Sequence, residues 1–303
     1  MISIVTPAYN AAAHIAETGR SVLAQTFADW EWLIVDDGST DATRKIAAGF
    51  GDARVRLIAA EHSGLPAVAR NRGIAEARGE FIAFLDADDR WLPEKLALQL
   101  ACFDAHPEAG LVFCRFRYFF EEWRRVSRMT APNLRGVPNP GMLYGRLLFH
   151  NLVALSTAVV RSALLDAHGA FDDDPRQRGT EDYELWLRLA PHAPFAFVDR
   201  PLMIYRLHSG GVSRDAVPIA EGQLLAIDKA IARRDAPGDV VEADRLFWRG
   251  HAQLRDGVAR CGRAALWRSL RMRPRLVTAA WLAASFLGAK LNAALRRFAY
   301  RFV

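Results

Sequence analysis

The 303-residue chain has only three cysteines, Cys102, Cys114 and Cys261, with no C-x-x-C pair and no histidine at ligand spacing. Their scarcity excludes a disulfide scaffold and a zinc ribbon, and predicts three core thiols. No apolar run reaches the roughly 20 residues of a spanning helix; the stretch 276–289 stops at 14. The chain opens directly on Ile2-Ser3-Ile4-Val5 without a basic region, an extended apolar segment or a cleavage site. A secretory leader is therefore not expected, and a cytoplasmic location is. Repeats and low-complexity tracts are also missing, and with 51% hydrophobic and 24% charged residues the composition is that of a globular protein of about two domains. Acid is scarce at one end: residues 245–303 carry 13 Lys and Arg against one acidic residue, whereas 1–244 carry 27 against 33. The net charge of +6 thus joins an acidic body to a basic end. Such an end points to an anionic partner, a membrane surface before nucleic acid, for which no recognition module is present.

What is present is an alternation of short apolar runs and helical spacings. Residues 2–6, Trp30–Val35, 55–58, 80–85 and 111–120 read as strands. Helical periodicity runs over 11–25, from a Thr40-Asp41 cap to Phe50, and over 67–77, 92–106 and 181–189. The stretches 152–161 and 195–205 read as strands, and 130–142, rich in Pro, Gly and Asn, as a loop. Strands alternating with helices predict an α/β domain, a mainly parallel sheet with helices on both faces. From Pro218 the pattern is wholly helical, over about 219–234, 242–260, 263–272 and 275–300, so the expected domains are 1–215 and a basic helical region 216–303.

In such a sheet ligands bind beyond the carboxyl ends of the strands, and the acidic clusters fall there. Asp36-Asp37 follows one strand and Asp86, Asp88 and Asp89 another. Five carboxylates at one edge repel each other unless a cation or a donor-rich ligand joins them. Asp89 is expected to cap a helix opening near Trp91.

Five segments end at this edge: S-I-V-T-P-A-Y-N (3–10), V-D-D-G-S-T-D (35–41), A-R-N-R-G-I (69–74), F-L-D-A-D-D (84–89) and G-T-E-D-Y-E-L-W-L-R (179–188). In this order, and followed by Y-R-L-H-S-G-G-V-S (205–213), the chain resembles the inverting family 2 glycosyltransferases of GT-A (Rossmann-like) fold over residues 1–213. The resemblance implies transfer of a sugar from a nucleoside diphosphate sugar, with Mg²⁺ or Mn²⁺ offsetting the charge on the leaving diphosphate. It makes Asp88 the first metal ligand and gives Asp86 to the metal or the donor ribose. It places the general base in Glu181-Asp182, at Asp182, where a carboxylate takes the proton of the attacking hydroxyl. Tyr9 borders the nucleobase, Thr6 and Pro7 shape its loop, and Asp37, or equally Asp36, accepts from a uracil-like N–H. Arg70 approaches phosphate while Asn71 holds a loop backbone, and Arg206 and His208 lean on the diphosphate.

No Q-x-x-R-W follows Glu181-Asp182, which favours transfer of a single sugar over processive synthesis. The expected acceptor is a hydroxyl of a cell-envelope glycan or a lipid-linked molecule. The 276–289 segment, flanked by Arg271, Arg273, Arg275, Lys290, Arg296, Arg297 and Arg301, suits peripheral contact with an anionic membrane at its inner face; the competing expectation is that it packs as a helix on the catalytic domain, with 242–272 supplying its partner. Two other functions fit parts of the sequence. A haloacid-dehalogenase-type phosphatase shares an apolar strand running into D-x-D, and a non-catalytic nucleotide-sugar binder would keep the pocket without turnover.

Overall fold

The computed structural model describes residues 1–122, 124–148, 151–208, 216–233, 238–255 and 259–286. Its centre is a sheet of nine strands among the described residues, whose main path, by order along the chain, is 3-2-1-4-8-6-9-5, with strand 7 paired to strand 6. The first half is parallel: β1 (Ile2–Ala8) lies between β2 (Trp30–Asp36) and β4 (Phe81–Phe84), and β3 (Val55–Ala59) flanks β2. These strands are apolar almost throughout because both faces are covered. Ile4 joins the core on one side and Val5 the core on the other, as the two-residue period of a strand requires.

Helices α1 (Ile15–Leu23), α2 (Thr43–Ala48) and α3 (Pro66–Ala75) make the crossovers. The loops after β1, β2 and β4 consequently emerge side by side. The second half is mixed. β6 (Leu111–Phe120) runs parallel to β9 (Phe195–Leu207), while β5 (Arg90–Trp91), β7 (Arg125–Ala131) and β8 (Val159–Arg161) pair antiparallel to their neighbours.

Several expectations change. Arg90 and Trp91 form β5 against Ile204 and Met203, and the next helix, α4, covers Lys95–Ala105 with Glu94 before it. Asp89 therefore caps no helix; it is buried and accepts from the backbone N–H of Arg206 at 3.0 Å. The apolar run 152–161 is not one strand. A turn of 3-10 helix at Leu155–Thr157 interrupts it, because Ser156 there accepts from the N–H of Asp86 at 3.0 Å and Trp91 Nε1 donates to its carbonyl at 2.8 Å. Of the three thiols, Cys114 is buried, Cys102 half-buried and Cys261 exposed, so Cys261 is not a core residue.

After the short helices α5 (Tyr144–Leu147) and α6 (Ser162–His168), α7 (Glu181–Leu189) packs its apolar side, Tyr183, Leu185, Trp186 and Leu189, into the core. Four helices follow: α8 (Ala216–Ala232), α9 (Gly238–Arg255), α10 (Ala259–Met272) and α11 (Leu276–Ala284). The first of them packs on α7. Lys229 bridges Asp172 at 2.6 Å and Asp174 at 3.0 Å, and Arg233 pairs with Glu184. Gly222 makes this crossing close, since a Cβ there would lie 2.4 Å from Thr180 Oγ1. Helices α9, α10 and α11 then pack on one another. Among the described residues no helix is long and apolar enough to cross a membrane. The expected helix over 275–300 is described only as far as Ala284, and residues 287–303 lie outside the described residues.

One buried cation sits apart from the loop edge. Lys95 is 0% exposed, donates to Gln99 Oε1 at 2.6 Å and lies 4.0 Å above the Trp91 ring. Burial lowers its pKa from 10.5 to about 8. The unfolded chain therefore binds more protons between those values, and this residue's contribution to stability rises with pH across that window. Urea unfolding of wild type and Lys95→Met should show the variant's relative stability falling by about 2 to 3 kcal/mol from pH ~7 to pH ~10. An unchanged difference would contradict the assignment.

Candidate active site

Each element delivers its side chain to the same edge. Beyond β1, Asn10 takes a left-handed conformation with φ 47°. Its N–H donates to Ser39 Oγ at 3.0 Å and its Oδ1 accepts from Thr40 N–H at 2.9 Å, tying the first loop to the D-D-G-S-T turn. Tyr9 stands beside that tie, 47% exposed, with its ring stacked on His62 at 4.1 Å and 22°. Thr6 is fully buried inside β1, where it accepts from Trp32 Nε1 at 2.9 Å; Pro7 is paired with Val35 in the sheet.

The paired acids after β2 have separate partners. Asp36 accepts from Arg44 Nε at 2.9 Å and Nη2 at 2.6 Å. Asp37 accepts from Ser63 N–H and Oγ, both at 2.9 Å, and from Gly64 N–H at 3.1 Å. Asp37 thus holds the loop carrying His62 against Tyr9. His62 Nδ1 also lies 3.1 Å from Asp37 Oδ2, so a ligand's N–H at this carboxylate would share its roughly four acceptor positions with these partners.

Helix α3 contributes Arg70 and Asn71. Asn71 clamps the backbone of Phe171, donating to its carbonyl and accepting from its N–H, each at 2.8 Å. Arg70 is 5% exposed and donates to Asp86 Oδ1 at 2.7 Å and Glu181 Oε1 at 2.6 Å. Its Nε is buried without a partner among the described residues. One guanidinium therefore joins the D-x-D loop to the start of α7. Burial raises the Asp86 pKa, with Arg70 opposing and Asp88 reinforcing the rise; Asp89 is pushed well above the ordinary range by burial and by both neighbours.

Glu181 accepts from Arg70 and from the N–H of Gly179. Asp182 differs. It is half-buried and accepts from Tyr183 N–H at 2.7 Å and Asn151 Nδ2 at 3.1 Å. Burial, aided by the charge of Glu181, pushes its carboxyl up to about 7, the range suited to a general base at neutral pH.

The end of β9 closes the site. His208 Nε2 lies 2.9 Å from Asp88 Oδ2, and that hydrogen bond raises the histidine's pKa. Arg206 is buried and every nitrogen of its guanidinium is engaged: Nε on the Asp88 carbonyl at 2.8 Å, Nη1 on Glu121 at 3.0 Å and Nη2 on Glu17 at 2.7 Å. It holds the D-x-D loop from behind. His14, its pKa lowered chiefly by burial, lies with its ring 4.7 Å from that of His208. His14, Glu121 and His208 bring one ligand atom each within 4.8 Å of one another, beside Asp88. The chemistry of this donor set, carboxylate oxygen and imidazole nitrogen, fits a divalent cation.

The structure thus gathers Tyr9 and Asp37 at one end, Arg70, Asp86 and Asp182 in the middle, and Asp88, Arg206 and His208 at the other. Sequence reasoning missed His14, His62, Glu121, Asn151 and Ser156. Only His14, one turn beyond Tyr9-Asn10, lies near a recognised motif; the others sit in stretches with no readable spacing.

Comparison with known proteins bears on the family and the fold. The family model described as Glycosyl transferase family 2 matches residues 3–161. The UDP-Glc:alpha-D-GlcNAc-diphosphoundecaprenol beta-1,3-glucosyltransferase WfgD of Escherichia coli is 45% identical over 101 residues, which is 33% of this chain and 40% of that protein's length. Among solved structures, Staphylococcus aureus TarS 1–349 in complex with UDP-GlcNAc superposes with a TM-score of 0.69 at 21% identity, over 90% of this chain and 81% of that one. The mannosyltransferase PcManGT of Pyrobaculum calidifontis, in complex with GDP-Man and Mn²⁺, gives 0.64 at 20% identity over 99% and 84%. By family match this chain belongs to glycosyl transferase family 2, and its fold is GT-A.

Proposed function

We propose that the enzyme is a metal-dependent, inverting glycosyltransferase. It moves one sugar from a nucleoside diphosphate sugar, UDP foremost, to a hydroxyl of a cell-envelope glycan or lipid-linked acceptor at the inner face of the membrane. The observation that carries this reading is Arg70, which links the D-x-D carboxylate Asp86 to the start of the helix bearing Asp182. Donor and acceptor chemistry therefore share one buried cation. The relatives support the substrate classes: WfgD is named for UDP-Glc and a diphosphoundecaprenol acceptor, and the two structural neighbours hold UDP-GlcNAc and GDP-Man. Membership of the family leaves the phosphatase reading unsupported.

Asp88 and His208 would hold the metal, Mn²⁺ suiting an imidazole-containing set better than Mg²⁺, with Glu121 and His14 beside them. A bound cation supplies charge neutralisation at the leaving diphosphate. The chain's own residues do the rest. The exposed part of the Tyr9 ring carries the nucleobase, and Asp37 accepts its N–H. Asp86, steadied by Arg70, meets the donor ribose or the metal, while Arg206 fixes the backbone from which Asp88 projects. Asp182 takes the proton of the acceptor hydroxyl as that oxygen bonds to the anomeric carbon and the bond to the diphosphate breaks on the opposite face, inverting the centre. Asn151 orients the Asp182 carboxylate for that transfer.

Three results are expected. Asp182→Asn lowers kcat about 10²- to 10⁴-fold while calorimetry shows donor affinity unchanged; loss of donor binding instead would remove the base from Asp182. In wild type, kcat rises with pH through about 7, where Asp182 loses its proton, and is flat above; a profile flat through that range contradicts the assignment. Asp88→Ala and His208→Ala each weaken Mn²⁺ binding on the order of tenfold or more in titrations without nucleotide. Retained affinity in both would place the metal elsewhere.

A further inference from the structure

The basic end of the chain divides into two sets of arginines. Arg245 and Arg249 face Asp228 at 4.0 and 3.3 Å, and Arg273 and Arg275 face Asp244 at 3.8 and 2.6 Å. These four tie the helical region together. Arg260, Arg268 and Arg271 are exposed and make no ion pair among the described residues.

Those three recur on one stripe of α10 with Ala264 and Trp267, at positions 260, 264, 267, 268 and 271, the spacing of a single helical face. The opposite side of α10 is fixed inward. Gly262 meets α9 so closely that a Cβ there would lie 2.8 Å from Leu254 and 2.9 Å from the Gly250 carbonyl, and Leu266 and Ser269 are fully buried. The arginine stripe cannot turn in without breaking that crossing.

Large apolar side chains stand among these charges. Trp267 is 53% exposed, Leu276 at the start of α11 92%, and Phe286 just beyond it 70%. Arg263, one turn before Trp267, lies 5.0 Å from the Phe286 ring and donates to the Ser285 carbonyl at 3.2 Å, drawing Phe286 towards the same stripe. Residues 257–303 contain no acid. Bare apolar groups interleaved with unpaired arginines, and free of carboxylates, match a bilayer surface, whose headgroups take the cations while the interface takes the rings.

We propose that the outer faces of α10 and α11 form a docking surface for a membrane bearing anionic lipid. The surface deepens the reading of a lipid-linked acceptor, yet its binding is measured with no donor or acceptor present, so either proposal can fail alone. Flotation of the full chain with vesicles of phosphatidylcholine, or of phosphatidylcholine mixed with phosphatidylglycerol, tests it. The expected result is binding to the mixed vesicles only, weakened by salt. Arg268→Gln with Arg271→Gln should reduce that binding on the order of fivefold per arginine, and Trp267→Ala should reduce it without changing the salt dependence. All variants should keep the wild-type melting temperature. Absence of binding, or binding unchanged in both variants, overturns the proposal. So does a concentration-dependent dimer that Trp267→Ala dissolves, which would make the partner a second copy of this chain.

Discussion

A buried guanidinium must find anions, and that requirement organises this molecule. Arg70 is nearly withdrawn from water and has two carboxylates in reach, Asp86 from the loop after β4 and Glu181 from the first turn of α7. Desolvating this cation is tolerable because fixed carboxylates meet it, and removing Arg70 would leave two acids facing each other without their cation. The Phe171 ring, 5.4 Å away, closes the third side and is itself clamped by Asn71 from the next position of α3. The distance between the D-x-D loop and the start of α7 is thereby set by one side chain. The same pairing divides labour in the Glu181-Asp182 motif. Glu181 is paired with Arg70, whereas Asp182, half-buried beside the Glu181 charge with only neutral hydrogen-bond donors, is pushed up to about 7.

A second buried arginine does for the far end of the site what Arg70 does for its middle. Arg206 binds the Asp88 carbonyl, Glu121 and Glu17, and its own N–H holds Asp89. Three acids within four residues would otherwise splay the loop apart. Ser156 adds a neutral support, accepting from the Asp86 N–H. The helical region contributes from outside, where α8 crosses the start of α7 at Gly222 and pairs with Asp172, Asp174 and Glu184. Of the two expectations for 276–289, packing against 242–272 describes one side of α11, which lies on α10 with Trp281 buried, while Trp267, Leu276 and Phe286 stay exposed on the outer faces of α10 and α11.

Much of the site was legible because its residues fall where apolar runs stop. Asp36, Asp37, Asp86 and Asp88 follow strands, so periodicity puts them at one edge; Glu181 and Asp182 open a helix and are joined to them by the family resemblance. Partners were another matter. Arg206 looked like a ligand for diphosphate, but its nitrogens face Glu17 and Glu121, 189 and 85 residues away in the chain. Asp89, placed where an N-cap belongs, is instead occupied by the backbone of β9. Local spacing carries no trace of such pairings.

The sequence by itself determined the alternation of strands and helices, the edge at which function gathers, and the charge division between an acidic body and a basic end. Each follows from local hydrophobic periodicity and composition, which act over a few residues. Tertiary structure alone decided which carboxylate meets Arg70 and which has its pKa raised by burial, which arginines are structural and which face solvent, and that His62 covers part of Tyr9. Those outcomes depend on burial and on charges brought together by the crossovers, and the free energy of an ionised group is set by its surroundings in space rather than by its neighbours in the chain.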